Sequence, residues 1–380
     1  MKNMKDRFKT FNSGRANFYL LGLIAILLVG AVLKITASVI IPFIIAFLLA
    51  LVMNPMVSFL GKFRVPRFVS ILLAVILVIA GLTIMGGVFF SSARSILRAY
   101  PRYEKRLTEI YVWLGNFFEL SYNEDLSFLQ NIWSQLGIRS QIWLYTVSLS
   151  NTFVEFAKDA VIVGVFLVFF LVEAVYFKEK LSVAFEGKWA GQIKNISTDT
   201  MRQVSRYLST KFVLSVVNGL LVGVFLSLIG VEFAVVWGVI QFVLNFIPSL
   251  GSIAVGVAAS AFALLQFWPE PGPVVLTVII MLGVNISIGF VLEPKVMGDR
   301  LGLSPIVVLI SLLIWGWLLG FVGMIMAVPL MVIIRIVCEN VPVLEPVSVL
   351  LGSRRAVLAK KAKSESESAG EKIESDPKLG

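Results

Sequence analysis

The chain has 380 residues, of which 58% are hydrophobic and only 15% are charged, and its formal net charge is +10. It contains no histidine and one cysteine, Cys338, so it lacks the commonest general base and metal ligand and cannot form an internal disulfide. We find no Gly-x-Ser-x-Gly, phosphate-loop or His-Glu-x-x-His motif. We therefore expect no enzyme, no ATP-driven pump within this chain, no cofactor and no metal.

Long apolar runs recur along the chain, and many are long enough to cross a hydrocarbon core of about 30 Å as helices. The runs are continuous and do not alternate, which favours helices over barrel strands. We predict an all-α polytopic membrane protein with about eight transmembrane segments, some discontinuous or hairpin-like. The positive charge then marks the cytoplasmic face, and we expect no binding of nucleic acid.

The chain begins with a basic segment, 1–17, which we expect to be cytoplasmic. Three transmembrane spans follow within 18–90. The second of them is expected to end at Pro55, because proline interrupts a helix.

The next region, 91–152, is mixed in composition and moderately charged. Its apolar residues recur at intervals of three, four and seven, which predicts amphipathic helix, and its tryptophans suit a membrane interface. We interpret it as an extracytoplasmic helical insert that lies on or near the bilayer. A ligand-gathering domain is the alternative.

The region 153–337 is predicted to be the transport core. Its first span, 153–177, is followed by a basic cytoplasmic loop, 178–211. The tail, 338–380, is expected to be cytoplasmic and largely disordered, because its distal part has almost nothing apolar to bury.

Two interruptions shape the second half of this core. An apolar run that reaches residue 246 breaks at 248–251 and then resumes. The run 306–337 is too long for one straight span, so we predict a hairpin that turns near 315–320. An even number of crossings then returns the basic tail to the cytoplasm, on the same side as the N-terminus.

The break contains Pro248, Ser249 and Gly251, with Asn245 immediately before it. Transporters use broken helices to direct helix ends at cargo, and the freed backbone groups need protein or water as partners. We therefore predict that Asn245 and Ser249 contact cargo, although Asn245, like Gln241 one turn earlier, could equally join helices by hydrogen bonds. A simple tight turn between two short spans remains the alternative.

A second candidate lies between two apolar runs, in the stretch VLEPKVMGDRLGLSP. Glu293 directly follows an apolar run, and a carboxylate at membrane depth is costly and often functional. We expect Lys295 or Arg300 to be its partner, and we include Pro294 and Gly298 in the predicted gate. The alternative is a cytoplasmic loop that anchors helix ends at the lipid headgroups.

Other polar residues lie within or beside the spans. Glu173 is predicted to pair with Lys178 or Lys180, and a role in ion coupling is the alternative. Asn218 and Asn285 are expected to hydrogen-bond across helices. The pattern Gly219-x-x-x-Gly223 predicts close helix packing.

Three stretches together carry a resemblance to a known family. They are NFIPSLG at 245–251, EPKVMGDRLGLSP at 293–305, and WGWLLG with GM and AVP at 315–329. In order and spacing, over roughly residues 16–340, the chain resembles the autoinducer-2 exporter family of bacterial membrane proteins. The resemblance implies export of the furanone-type signal autoinducer-2 and a homo-oligomer. Some similar proteins are described as sodium/proton antiporters.

We accordingly predict a multi-pass protein of the bacterial inner membrane that exports a small polar organic molecule, such as autoinducer-2. The pathway or gate would involve Asn245, Pro248, Ser249, Gly251, Glu293, Pro294 and Gly298. Glu293, with Glu173 as a further candidate, would couple transport to a proton or sodium ion. Membrane lipid and other copies of the chain are the expected partners. A sodium/proton antiporter and a non-transporting membrane scaffold are the alternatives.

Overall fold

The computed structural model describes residues 13–117, 138–184, 188–248, 250–297, 302–341, 344–353 and 358. These residues are almost entirely helical, and their only β contact is one isolated bridge between Leu303 and Gly352. The prediction of an all-α protein is confirmed. Three residues named above, Ser249, Gly298 and Arg300, lie outside the described residues, as does nearly all of the tail beyond 353.

Most of the described helices follow one another with short connections, and residues 118–137 lie outside the described residues. They are α1 (Ser13–Ile35), α2 (Ala37–Lys62), α3 (Arg67–Phe117), α4 (Ile138–Ala184), α5 (Lys188–Ile229), α6 (Ala234–Leu244), α7 (Leu250–Phe267), α8 (Pro271–Ile286), a π-helical segment (Ser287–Leu292), α9 (Glu293–Met297), α10 (Pro305–Asn340) and α11 (Glu345–Leu351).

The helices have the length and the surface of membrane spans. Among the described residues, six are long and apolar enough to cross a bilayer, and two shorter apolar helices, Leu20–Ile35 and Ala234–Leu244, accompany them. Large apolar side chains are exposed on their outer faces, such as Leu228 at 77% and Phe290 at 78%. Such surface would be unstable in water and suits contact with lipid. The chain is a multi-pass membrane protein.

Several helices run farther than the sequence predicts. Helix α2 continues through Pro55 to Lys62, because residues on both sides of the proline, such as Met53 and Val57, are buried against neighbouring helices. Helix α3 continues without interruption from its apolar part to Phe117. Within the range 91–152, the expected helical structure is seen at 91–117 and 138–152, as extensions of α3 and α4, while 118–137 lie outside the described residues.

The predicted loop at 178–211 is mostly helical as well. Helix α4 extends to Ala184, and α5 begins at Lys188 and enters the following apolar run without a break. The basic composition of this region therefore belongs to helix ends and to the polar first half of α5. The basic composition of 178–211 indicates exposure to solvent, but composition alone does not distinguish an exposed helix from a loop.

The predicted hairpin near 315–320 is present inside α10. Gly320 has φ 62° and ψ −143°, which lies far from helical geometry. The Ser311 hydroxyl donates a hydrogen bond of 2.9 Å to the carbonyl oxygen of Ala327. In a straight helix these residues would be about 24 Å apart, so α10 folds back on itself at Gly320.

Two large apolar clusters hold the described helices together, and a third, small one joins the break to α10. One lies mainly among α2, α3, α4, the first half of α5 and the second arm of α10. The other lies among α5, α6, α7 and α8. Helix α5 contributes to both clusters and so connects the two halves of the protein.

Small residues bring α5 and α6 into direct backbone contact. A Cβ atom on Gly219 would lie 2.6 Å from the carbonyl oxygen of Gly238, and a Cβ on Gly238 would lie 2.6 Å from that of Gly219. Gly223 also approaches Gly238 closely. The close approach predicted from the Gly-x-x-x-Gly pattern is confirmed.

This contact predicts a position-specific effect of adding one methyl group. Gly238→Ala should force α5 and α6 apart and lower the stability of the protein by about 1–3 kcal/mol. The measurement is the thermal unfolding midpoint in detergent. Gly283→Ala in α8, where a Cβ meets nothing within 4 Å, is the matched control and should leave the midpoint unchanged or slightly higher. Equal midpoints for the two variants would contradict the prediction.

Candidate functional site

The predicted break separates α6 from α7. Helix α6 ends at Leu244, and α7 begins at Leu250. A Cβ atom on Gly251 would lie only 1.7 Å from the carbonyl oxygen of Leu244, so the chain can reverse this tightly only with glycine at that position. Gly251 therefore shapes the break.

Asn245 stands at the end of α6 and is 4% exposed. Its Nδ2 atom donates to Ser215 Oγ at 2.9 Å. Its Oδ1 atom accepts hydrogen bonds from Asn218 at 3.2 Å and from Ser252 at 3.0 Å. The side chain thus joins the break to α5 and α7.

Gln241, one turn before Asn245, extends this polar network to α8. Its Nε2 atom donates to Ser252 Oγ at 3.1 Å and to Asn285 Oδ1 at 2.9 Å. Asn285 in turn donates to the carbonyl oxygen of Ser252 at 3.0 Å. The cross-helix bonds predicted for Asn218 and Asn285 are present, and the network links α5, α6, α7 and α8 inside an otherwise apolar region.

A cavity of about 400 Å³ adjoins this network. Four of the predicted site residues border it, namely Asn245, Pro248, Glu293 and Pro294. The structure therefore brings the break and the charged stretch together, although they are far apart in the sequence. The wall also includes Tyr207, Lys211, Ser252, Asn285, Leu303 and Ser353.

The charged pair of the cavity is formed by Lys211 and Glu293. Lys211 Nζ lies 2.7 Å from Glu293 Oε1, and the two side chains are 2% and 25% exposed. The expected partner of Glu293 was Lys295 or Arg300, and Arg300 lies outside the described residues. Lys295 is instead exposed on α9, so the prediction of Lys295 as the partner is wrong.

Sequence reasoning missed Lys211 because it is the last residue of the basic region 178–211. A signal was nevertheless present. Tyr207, Lys211, Ser215 and Asn218 follow one another at intervals of four, four and three, and such spacing places them on one face of a helix. This polar stripe on α5 faces the cavity and the network around Asn245.

Glu173 does not border the cavity. It forms an ion pair with Lys180 on the same helix, and both side chains are more than half exposed. The predicted pairing with Lys180 is confirmed. Glu173 is therefore an exposed charged residue outside the cavity.

The chain beyond α10 returns to the cavity. The backbone N–H of Ser304 donates to Leu351 O at 3.0 Å, and that of Ser353 donates to Gly302 O. Gly302, Leu303 and Ser353 all border the cavity. The segment after α11 thus forms part of its wall.

A separate polar cluster lies where α3 extends beyond its apolar part. Arg102 Nη2 lies 2.6 Å from Glu232 Oε1, and the Tyr103 hydroxyl donates to the same carboxylate. Burial first, and then the hydrogen bond to Glu232, raise the pKa of Tyr103 to about 12. Tyr103 therefore stays protonated near neutral pH and can hold the turn between α5 and α6 against α3.

The side chains of the cavity suit binding of a polar solute better than binding of a metal. Among the described residues, no three His, Cys, Asp or Glu side chains form a group that could hold an ion. The cavity instead combines one ammonium, one carboxylate, amides and hydroxyls beside a broken helix. In a helical membrane protein, such a site is typical of solute transporters.

Comparisons with known proteins agree with this class. Residues 21–342 match the sequence profile of the AI-2E family transporters, and the chain belongs to this family. It is 30% identical to a Borreliella burgdorferi protein provisionally named a transport protein, over 87% of this chain and 88% of that one. It is 28% identical to the AI-2 transport protein TqsA of Escherichia coli K12, over 87% of this chain and 94% of TqsA. It is also 27% identical to a sodium-lithium/proton antiporter of Halobacillus andaensis, over 77% of this chain and 87% of the antiporter.

The Lys211–Glu293 pair predicts a non-additive pattern of stability. Glu293→Gln leaves a buried ammonium without its counter-charge and should destabilise the protein by about 3–5 kcal/mol. Lys211→Met should cost less, because Glu293 is partly exposed. Thermal unfolding in detergent would rank the two single variants and the double variant.

We expect the double variant to be more stable than the sum of the single effects implies, by about 1–3 kcal/mol. The opposite result, strictly additive single effects, would mean that the two charges do not interact in the folded protein.

Proposed function

We propose that the protein moves a small polar organic molecule across the membrane through the cavity beside the break. The observation that carries this proposal is the meeting of Asn245, Lys211 and Glu293 at one cavity of about 400 Å³. A volume of this size admits a small organic molecule. Charged groups inside a membrane protein are costly and often mark a functional site, such as a solute or ion pathway.

Autoinducer-2 is the first cargo to test, and export is the proposed direction. The support is the similarity to TqsA, which is named an AI-2 transport protein. The polar side chains around the cavity also suit an oxygen-rich molecule. In this proposal Glu293 couples transport to a proton, while Pro248 and Pro294 belong to the moving parts of the pathway.

The proposed setting is the bacterial inner membrane with both termini in the cytoplasm. The support is the distribution of basic residues, which are concentrated in 1–17, 62–67, 178–211 and 354–363. Assembly into a homo-oligomer remains a prediction from the family resemblance.

Sodium/proton antiport is the second candidate. It is supported by the similarity to the Halobacillus andaensis antiporter and by the ion-paired carboxylate of Glu293 in the cavity. A bound sodium ion prefers several oxygen ligands, and Glu293 is the only carboxylate among the described residues that border the cavity. We therefore rank sodium/proton antiport second, after transport of an organic molecule.

The experiment is efflux of labelled autoinducer-2 from proteoliposomes of the purified chain, with and without an imposed pH gradient. We expect efflux above that of empty liposomes and acceleration by the gradient. Glu293→Gln should abolish the acceleration, because glutamine cannot carry the proton. The assay is run well below the unfolding midpoint of the variant.

Glu173→Gln is the matched control, because it removes the same charge at an exposed position outside the cavity. It should transport like the parent. Absence of efflux from folded parent protein would reject autoinducer-2 as the cargo. Normal gradient dependence in Glu293→Gln would reject the coupling role.

A further inference from the structure

The buried ammonium of Lys211 has unused hydrogen-bonding capacity. A lysine ammonium carries three N–H donors. Among the described residues, Glu293 Oε1 is the one acceptor of Lys211 Nζ, at 2.7 Å. Lys211 is 98% buried and borders the cavity. The remaining donors thus have no acceptor among the described residues and lie where a solute would bind.

The amide groups nearby have less to offer a solute. Asn245 Oδ1 already accepts two hydrogen bonds, from Asn218 and Ser252. Asn285 uses its Oδ1 with Gln241 and its Nδ2 with the backbone of Ser252. Asn218 Oδ1 and Gln241 Oε1 are buried without a partner among the described residues, but both are acceptors and neither residue borders the cavity. The ammonium of Lys211 is therefore the strongest donor that the cavity presents to an incoming oxygen atom.

We propose that the cavity binds a small organic anion, whose carboxylate or equivalent oxyanion bonds to Lys211 in competition with Glu293. The proposal rests on the proposed transport through this cavity and narrows the cargo to a chemical class. While Glu293 is ionised, its carboxylate pairs with the ammonium of Lys211 and competes with an incoming anion. When Glu293 takes up a proton, its charge is lost and Lys211 can pair with the cargo instead.

A proton on Glu293 and an anion on Lys211 would thereby bind in the cavity together, and the pair would add no net charge. The groups that face Glu293 from α5 are Lys211 and Tyr207, and the π-helical segment contains no titratable residue. Lys295 lies exposed on the same helix as Glu293. Arg335 of α10 packs against Gly302 at another part of the cavity wall. Among these residues, Glu293 is therefore the one acidic group that can compete with an anionic cargo for Lys211.

The test measures binding to the purified chain in nanodiscs by calorimetry at neutral pH. The probes are three carboxylates, each paired with a neutral molecule of similar size: acetate with acetamide, lactate with propane-1,2-diol, and gluconate with sorbitol. The variants are Glu293→Gln, Lys211→Met and the double variant. Their matched controls are Glu173→Gln and Lys180→Met, which make the same charge changes outside the cavity.

We expect Glu293→Gln to bind at least one carboxylate about tenfold or more tightly than the parent does, and to prefer it over its neutral partner. Lys211→Met and the double variant should lose this preference, and both controls should bind like the parent. A merely structural role of the pair would lower stability without changing the preference between charged and neutral probes. Because the double variant restores charge balance, it keeps the test informative if Lys211→Met fails to fold.

Equal binding of carboxylates and their neutral partners would overturn the proposal, as would the absence of carboxylate binding to folded Glu293→Gln. Efflux of autoinducer-2 without carboxylate binding would overturn the anion site and leave the proposed transport function standing. Carboxylate binding without autoinducer-2 efflux would support the anion site and reject that cargo.

Discussion

The structure depends on the requirement that polar groups placed among apolar helices find partners inside the protein. Lys211 can be 98% buried because Glu293 meets it at 2.7 Å, since an isolated buried ammonium would be far too costly. Asn245 similarly occupies the end of α6 because three side chains bond to it. These contacts determine which helices meet, since lipid surrounds the rest of their surface with no comparable preference.

The close approach of α5 and α6 supports this polar network from a neighbouring face. Gly219 and Gly238 allow backbone contact, and Asn218 directly precedes Gly219 on α5. The amide of Asn218 can therefore reach Asn245 at the end of α6. Packing of small residues and pairing of amides thus depend on each other, because a wider separation of the helices would break the hydrogen bond.

Features that arise from local sequence were predictable, and those that arise from long-range contact were not. The apolar spans, the break around Pro248 and the hairpin at Gly320 follow from runs of composition and from proline and glycine. Lys211 and Glu293 are separated by 82 positions, and no local pattern specifies such a pair. The polar stripe on α5 could have indicated Lys211, but the basic residues before it made the region look like a solvated loop. The continuation of α2 through Pro55 depends on burial by other helices, which a local rule does not include.

The polar cluster at Arg102 has a consequence for how the protein could be inhibited. Helix α3 is continuous from Arg67 to Phe117, and its extension holds Glu232, at the turn into α6, by an ion pair. Helix α6 ends at the cavity, and Lys211 lies about 27 Å along α5 from the start of that turn. An antibody fragment or peptide that locks α3 to this turn would therefore restrain the broken helix without touching the cargo. If the cavity is the proposed transport site, such an inhibitor would act non-competitively, from the face that the charge pattern predicts to lie outside the cytoplasm.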